Sequence, residues 1–160
     1  MTVATLNKTN QYEITNKVLT ELPKHVVYVD VFGNGDEVLM NKSRSRLEIF
    51  NDMDNSKLHY LLKNRMNKTI ESIQYNERWK KVMLECVNYE RLLSIYDSSG
   101  TLMYADIRDK DNQAEIAAAL MQLESKVVVI TDDTTLFSEW LCIDDMPIYL
   151  NYDHTQLSLF

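Results

Sequence analysis

Glycine, proline and cysteine are scarce in this sequence: three, two and two among 160 residues. So little glycine and proline leaves no linker composition, and one folded unit is expected. Two cysteines, Cys86 and Cys142, are too few for a disulfide framework or a four-ligand zinc site. Cys86 is expected on a helix face and Cys142 in a strand, both as buried, reduced thiols of a cytoplasmic protein. No apolar run reaches the ~20 residues that span a bilayer, so no membrane segment is expected. The first residues, Met1 to Leu6, have neither a basic nor an apolar stretch, so no secretory leader is expected. Catalytic motifs are missing too. There is no phosphate-cradling Gly-rich loop of the Walker type, no Gly-x-Gly-x-x-Gly and no His-Glu-x-x-His. His25, His59 and His154 lie far apart and read as surface or boundary residues. No cofactor or metal is expected, and a non-enzymatic protein is the leading expectation.

What is present is ordinary globular composition, 45% apolar and 26% charged. The net charge of -7 is unevenly spread. Residues 42–81 hold ten basic and five acidic side chains, net +5, while the remainder carries -12. An acidic chain binds DNA poorly unaided, because phosphate neutralisation dominates such affinity. Lys42, Arg44, Arg46, Arg78, Lys80 and Lys81 are candidate DNA-facing residues if something else holds the protein at DNA. The alternative is a solvated helix face. Trp79 beside Arg78, Lys80 and Lys81 mixes aromatic and basic groups as single-strand binders do. Its helical spacing with Val82, Met83 and Cys86 reads instead as core.

Along the chain, residues 1–10 are expected to be loosely ordered. Residues 11–22 form an amphipathic helix with Tyr12, Val18, Leu19 and Leu22 inward, stopped by Pro23. Residues 25–32 read as a strand. Gly33, Asn34, Gly35 and Asp36 read as a turn returning a second strand over 37–41. Ser43 and Ser56 are helix-cap candidates, the second ahead of Leu58, Leu61, Leu62 and Met66. Residues 68–75 are ambiguous, and Asn76 opens a helix. Residues 92–96 and 101–107 make a hairpin, which is similar to those of PAS-like or profilin-like sensor sheets but too common in length to identify a family. Asp111 or Asn112 caps a helix through Leu123. Residues 127–131 are a buried strand. Residues 136–143 and 147–152 form a last strand pair. Hairpins separated by helices predict one α+β domain over 11–152 with a mostly antiparallel sheet, followed by a tail over 153–160.

Two features carry chemistry. Asp106, Asp109 and Asp111 follow one strand, and Asp132 and Asp133 another. Carboxylates at strand ends hold Mg²⁺ in two-metal nucleases. Aspartates also gather at turns because they bond their own backbone and cap helices.

The second feature is Gln156, Leu157, Ser158, Leu159 and Phe160. At ordinary residue frequencies a given pentapeptide arises at one position on the order of once in a million, so agreement here is specific. These residues resemble the motif Gln-Leu-(Ser/Asp)-Leu-Phe by which bacterial polymerases and repair proteins hold the DNA polymerase III β sliding clamp. They match it at every position. The resemblance covers five residues and names a partner rather than a fold. It implies that Leu159 and Phe160 enter a deep apolar pocket of the clamp. Leu157 then covers a shallow site, the Gln156 amide bonds the rim, and Ser158 permits the bend. Each buried anchor contributes ~1.5–3 kcal/mol, offset by the cost of ordering a flexible tail. The expected net affinity is on the order of micromolar. The competing expectation is that Leu157, Leu159 and Phe160 fold back on their own core. Three functions stay open: a clamp-bound accessory in replication, repair or mobile-element replication, a phage- or plasmid-type clamp antagonist, and a clamp-tethered metal-dependent nuclease.

Overall fold

The computed structural model of the chain describes residues 3–53 and 77–153. The helix and strand expectations over 54–76 and the pentapeptide at 156–160 lie outside the described residues, as do His59 and His154.

The chain opens with helix α1 (Val3–Glu21), which starts at Val3 rather than at residue 11. It continues through β1 (Val27–Asp30), α2 (Asp36–Asn41), β2 (Leu47–Asn51) and β3 (Met83–Glu85). Then come α3 (Tyr89–Tyr96), β4 (Thr101–Asp106), α4 (Gln113–Leu120), β5 (Lys126–Ile130), β6 (Leu141–Cys142) and β7 (Ile148–Leu150). The seven strands form one sheet in the order β3-β2-β1-β4-β5-β7-β6. From β3 to β5 every neighbouring pair is parallel. β7 runs against β5, and β6 runs against β7, so β7 alone points the other way.

This overturns the expected α+β domain with a mostly antiparallel sheet: the fold is α/β, with a mixed sheet whose centre is parallel. Helices cover both faces. Ile14 and Val18 of α1 and Val38 and Leu39 of α2 pack on Tyr28, Phe50, Leu102, Tyr104 and Val128. On the other face, Leu92 and Leu93 of α3 and Ile116, Ala117 and Leu120 of α4 pack on Val29, Ile49, Met103, Ala105 and Val129. A strand covered on both faces has no polar side to show. All six residues of β4 are therefore buried, and such runs mark parallel sheets rather than half-solvated hairpins.

The local errors share that cause. Residues 37–41 belong to helix α2, and Ser43 caps no helix: the chain there is irregular and then enters strand β2 at Leu47. Residues 92–96 are helical, within α3, so the likeness to sensor hairpins falls with them. Trp79 closes a short helical turn over 77–79 and packs edge-on against Phe50, ring centres 5.0 Å apart. Tyr12, expected inward, is 70% exposed. Both thiols, expected buried, are exposed and free: Cys86 follows β3, and Cys142 ends β6. The β4, α4 and β5 expectations stand, and so does the final strand pair, although β6 spans only two residues. That pair turns through Asp144 and Asp145, both left-handed at φ 49° and 56°. Aspartate tolerates this conformation because its short side chain bonds locally.

Candidate functional site

In an open parallel sheet, ligands meet the chain at the carboxyl ends of strands, where the strand order reverses direction. Here the order runs outward from β1 on one side and from β4 on the other, so the reversal falls between them. β1 ends at Asp30, whose carboxylate accepts from the backbone of Gly33 at 3.0 Å and of Gly35 at 2.9 Å. The chain can only wrap the carboxylate this tightly without side chains at 33 and 35. Gly33 has φ +68°, and a Cβ there would sit 2.6 Å from the Asn51 carbonyl oxygen. A Cβ on Gly35 would enter the Tyr104 ring.

Across the reversal, Asp106 ends β4 and is 5% exposed. Arg108 doubles back on it, with Nε 3.0 Å from Oδ1 and Nη2 2.6 Å from Oδ2. The same guanidinium donates to Gln11 Oε1 of α1, and Asn34 Nδ2 donates to the Asp106 carbonyl at 2.9 Å. Hydrogen bonding to Asp106 raises the Arg108 pKa further above its ordinary value. The crevice is therefore polar and already internally paired. Asn34 Oδ1 is the exception, buried with no hydrogen-bond partner.

The five aspartates predicted as a carboxylate cluster do not converge. Asp106 is held by Arg108. Asp109 and Asp111 are exposed, the first 3.9 Å from Lys110. Asp133 accepts from the Thr135 hydroxyl at 2.5 Å and from the Thr135 backbone at 2.9 Å, bonds that lower its pKa and organise its own turn. Asp132 is exposed. No group of three or more His, Cys, Asp or Glu side chains among the described residues is placed to hold a metal ion.

The six basic candidates divide. Lys42 and Arg78 are brought together on Glu48, whose side chain is 2% exposed. Lys42 Nζ lies 2.7 Å from Glu48 Oε2, and Arg78 engages both carboxylate oxygens and the Leu39 carbonyl. Burial alone would raise Glu48, but the hydrogen bonds and charges of Arg78 and Lys42 outweigh it and lower its pKa. Burial pulls Lys42 below its ordinary value despite Glu48. These two cations are structural partners inside the fold. Arg44, Arg46, Lys80 and Lys81 are exposed, with Lys80 paired to Glu77 at 2.9 Å.

The chain leaves the sheet at the opposite edge from the crevice. β7 is antiparallel to β5, with Leu150 opposite Val128, so the following residues run toward the start of β5. Asn151 is locked there: its side chain accepts from Val127 N at 2.7 Å and donates to the Ser125 carbonyl at 2.9 Å. Tyr152 Oη donates to the Glu21 carbonyl at 2.9 Å, tying the exit to the end of α1.

No family model matches the chain, and no curated protein does. Solved structures match. One is a conserved hypothetical protein of Streptococcus pyogenes, at 17% identity and TM-score 0.57, covering 89% of this chain and 95% of that one. The likeness shows the fold alone.

Sequence reasoning passed over Asp30, Gly33, Gly35, Glu48 and Arg108. A signal existed for the first three: a Val-rich strand ending in aspartate, then Gly-x-Gly. That pattern reads as a hairpin turn when the next strand is assumed to return antiparallel. Glu48 and Arg108 had no signal, because their partners come from distant parts of the chain.

Proposed function

We propose that this chain is a sliding-clamp-binding accessory protein of DNA replication, repair or mobile-element replication. It acts in the cytoplasm and docks through Gln156, Leu157, Ser158, Leu159 and Phe160. The observation that carries this reading is the agreement of those five residues with the clamp-binding consensus at every position. The exit geometry supports it. Asn151 and Tyr152 fix the chain at the amino-terminal edge of the parallel strands. Three residues, Asp153, His154 and Thr155, then reach at most ~10 Å before the motif begins. A protein docked this way lies against the ring with its crevice turned away, available to another partner.

The test is a titration of purified β clamp with the full-length chain and with the Leu159→Ala/Phe160→Ala double variant. The expected affinity is on the order of micromolar, and the double variant weakens it by at least roughly tenfold. A chain ending at Thr155 should lose clamp binding and keep its thermal midpoint. Unchanged binding by either variant sinks the reading.

A second reading, a phage- or plasmid-type antagonist that competes with the host polymerase, draws on charge. Lys42 and Arg78 are spent on Glu48, and the chain outside residues 42–81 carries -12. An acidic body near the ring repels DNA. Inhibition of processive synthesis in a reconstituted reaction distinguishes it from a helper, and no inhibition at saturating protein excludes it. The pairing of Asp106 with Arg108 weighs against the clamp-tethered nuclease.

A further inference from the structure

The chain leaves the sheet through a groove of about 490 Å³ beside β6 and β7. Trp140, Leu141, Leu150 and Tyr152 make its lining largely apolar. Asp153, the last described residue, lines it too, so the departing tail starts inside the groove. Leu141 is 41% exposed although it belongs to a strand. Trp140 is half-buried, and the Phe137 ring, 4.6 Å away between centres, backs its indole. A lone apolar residue on a surface is ordinary, whereas an aromatic and a leucine side by side in a concave site mark an interaction surface. β6 is also the outermost strand among the described residues, and its far side offers unpaired main-chain groups.

Tether length decides what meets this surface. His154 and Thr155 alone separate Asp153 from Gln156. Even fully extended, that stretch reaches at most ~10 Å. Whatever holds Gln156 to Phe160 is therefore held within that distance of the groove. A long linker would let the body swing clear of its partner, and this one is too short to do so.

We infer that this groove is a second contact for the sliding clamp, with Trp140 and Leu141 buried against an apolar patch of the ring while the pentapeptide fills a separate pocket. This contact deepens the clamp-docking reading and rests on it. Tryptophan is among the residues that dominate interface energies, and such anchors act where water is excluded. The Phe137 ring already holds Trp140 in place, which lowers the cost of ordering it on binding. Once the tail is seated, the groove faces the ring at an effective concentration on the order of millimolar. A contact too weak to form alone then adds to the affinity of the whole. It also fixes how the body sits on the ring, which a tail by itself does not. Glu139 lines the groove and is exposed, so the facing patch suits a basic side chain beside its apolar centre.

The experiment titrates purified β clamp with the full-length chain and with three variants of it: Leu141→Asp, Leu159→Ala/Phe160→Ala and Tyr12→Ala. Leu141→Asp is expected to weaken binding roughly tenfold at an unchanged thermal midpoint. Tyr12 is 70% exposed and follows Gln11, which meets Arg108 at the far crevice, so Tyr12→Ala should bind as the parent does. Hydrogen exchange on the parent needs no substitution and decides the matter if Leu141→Asp loses stability. Clamp should slow deuterium uptake over residues 139–142 and leave 109–112 unchanged. Weakening by the tail variant alone, with unchanged uptake over 139–142, overturns the groove contact and leaves tail docking intact. Tighter binding by Leu141→Asp assigns the groove to the chain's own tail and overturns the contact. Self-association of the parent that Leu141→Asp abolishes assigns it to a second copy, with the same result. Full binding by the tail variant removes both readings.

Discussion

Arg78 and Glu48, thirty positions apart in sequence, meet through two parallel hydrogen bonds between guanidinium and carboxylate. Lys42 completes the triad on the same carboxylate, its ammonium 4.7 Å above the Tyr28 ring centre. One acid therefore holds two cations, one from the end of α2 and one from the helical turn over 77–79, and joins α2 to β2. Replacing Glu48 by alanine leaves both cations without a counter-charge, one of them buried. The expected loss is about 3–5 kcal/mol in urea unfolding. A loss under ~1 kcal/mol would show that the triad is solvated in solution.

The same acid sets a pH dependence. The Glu48 pKa is lower in the fold than its ordinary 4.5. The unfolded chain therefore binds the proton first as pH falls, and stability drops with it. The Glu48 contribution is fully present above 4.5 and lost as pH falls through the folded value. His25 acts in the same direction from a higher starting point, since its folded pKa lies below the ordinary 6.5. Its contribution is complete above 6.5 and lost on further acidification. Urea midpoints measured from pH 8 to pH 4 should fall in two stages. His25→Gln should flatten the upper one, and an unaltered curve in that variant contradicts the assignment.

Gly33 and Gly100 make a matched pair. Gly33 has φ +68° and no room for a Cβ against the Asn51 carbonyl, while a Cβ on Gly100 meets nothing nearer than 3.9 Å. Gly33→Ala is expected to cost about 1–3 kcal/mol. Gly100→Ala should stay within about 0.5 kcal/mol of the parent, or gain stability by restricting the unfolded chain. Equal effects from the two would mean that the loop around Asp30 is not tightly wrapped.

Cys86 and Cys142 are both exposed in the fold. Ellman's reagent should therefore titrate both thiols in the native protein, before any denaturant is added. Reaction only after unfolding would return both residues to the core.

Some elements were legible because their cause is local. β4, α4 and β5 each declare themselves through apolar spacing and composition, and Pro23 marks where α1 must have ended. Residues 33–41 were misread for an equally physical reason. Gly-Asn-Gly-Asp fits a hairpin turn as well as it fits a loop wrapped around Asp30. The choice depends on whether β2 comes back antiparallel or crosses over to lie parallel. Lys42 and Arg78 looked like surface charges, because nothing in a linear sequence shows a single glutamate positioned to take both.

By itself, the sequence determined a partner hypothesis, since Gln156, Leu157, Ser158, Leu159 and Phe160 are contiguous and a linear motif needs no fold to be read. It also determined the individual strands and helices whose periodicity is strong. Tertiary structure alone decided that the central strands run parallel, that Asp30 and Asp106 stand at the carboxyl ends of neighbouring strands while the chain leaves by the other end, and that two of six basic candidates are partners of the buried Glu48. Strand direction and ion-pair choice depend on residues far apart in sequence. They are set by which packing buries both faces of the sheet and leaves the fewest charges unpaired.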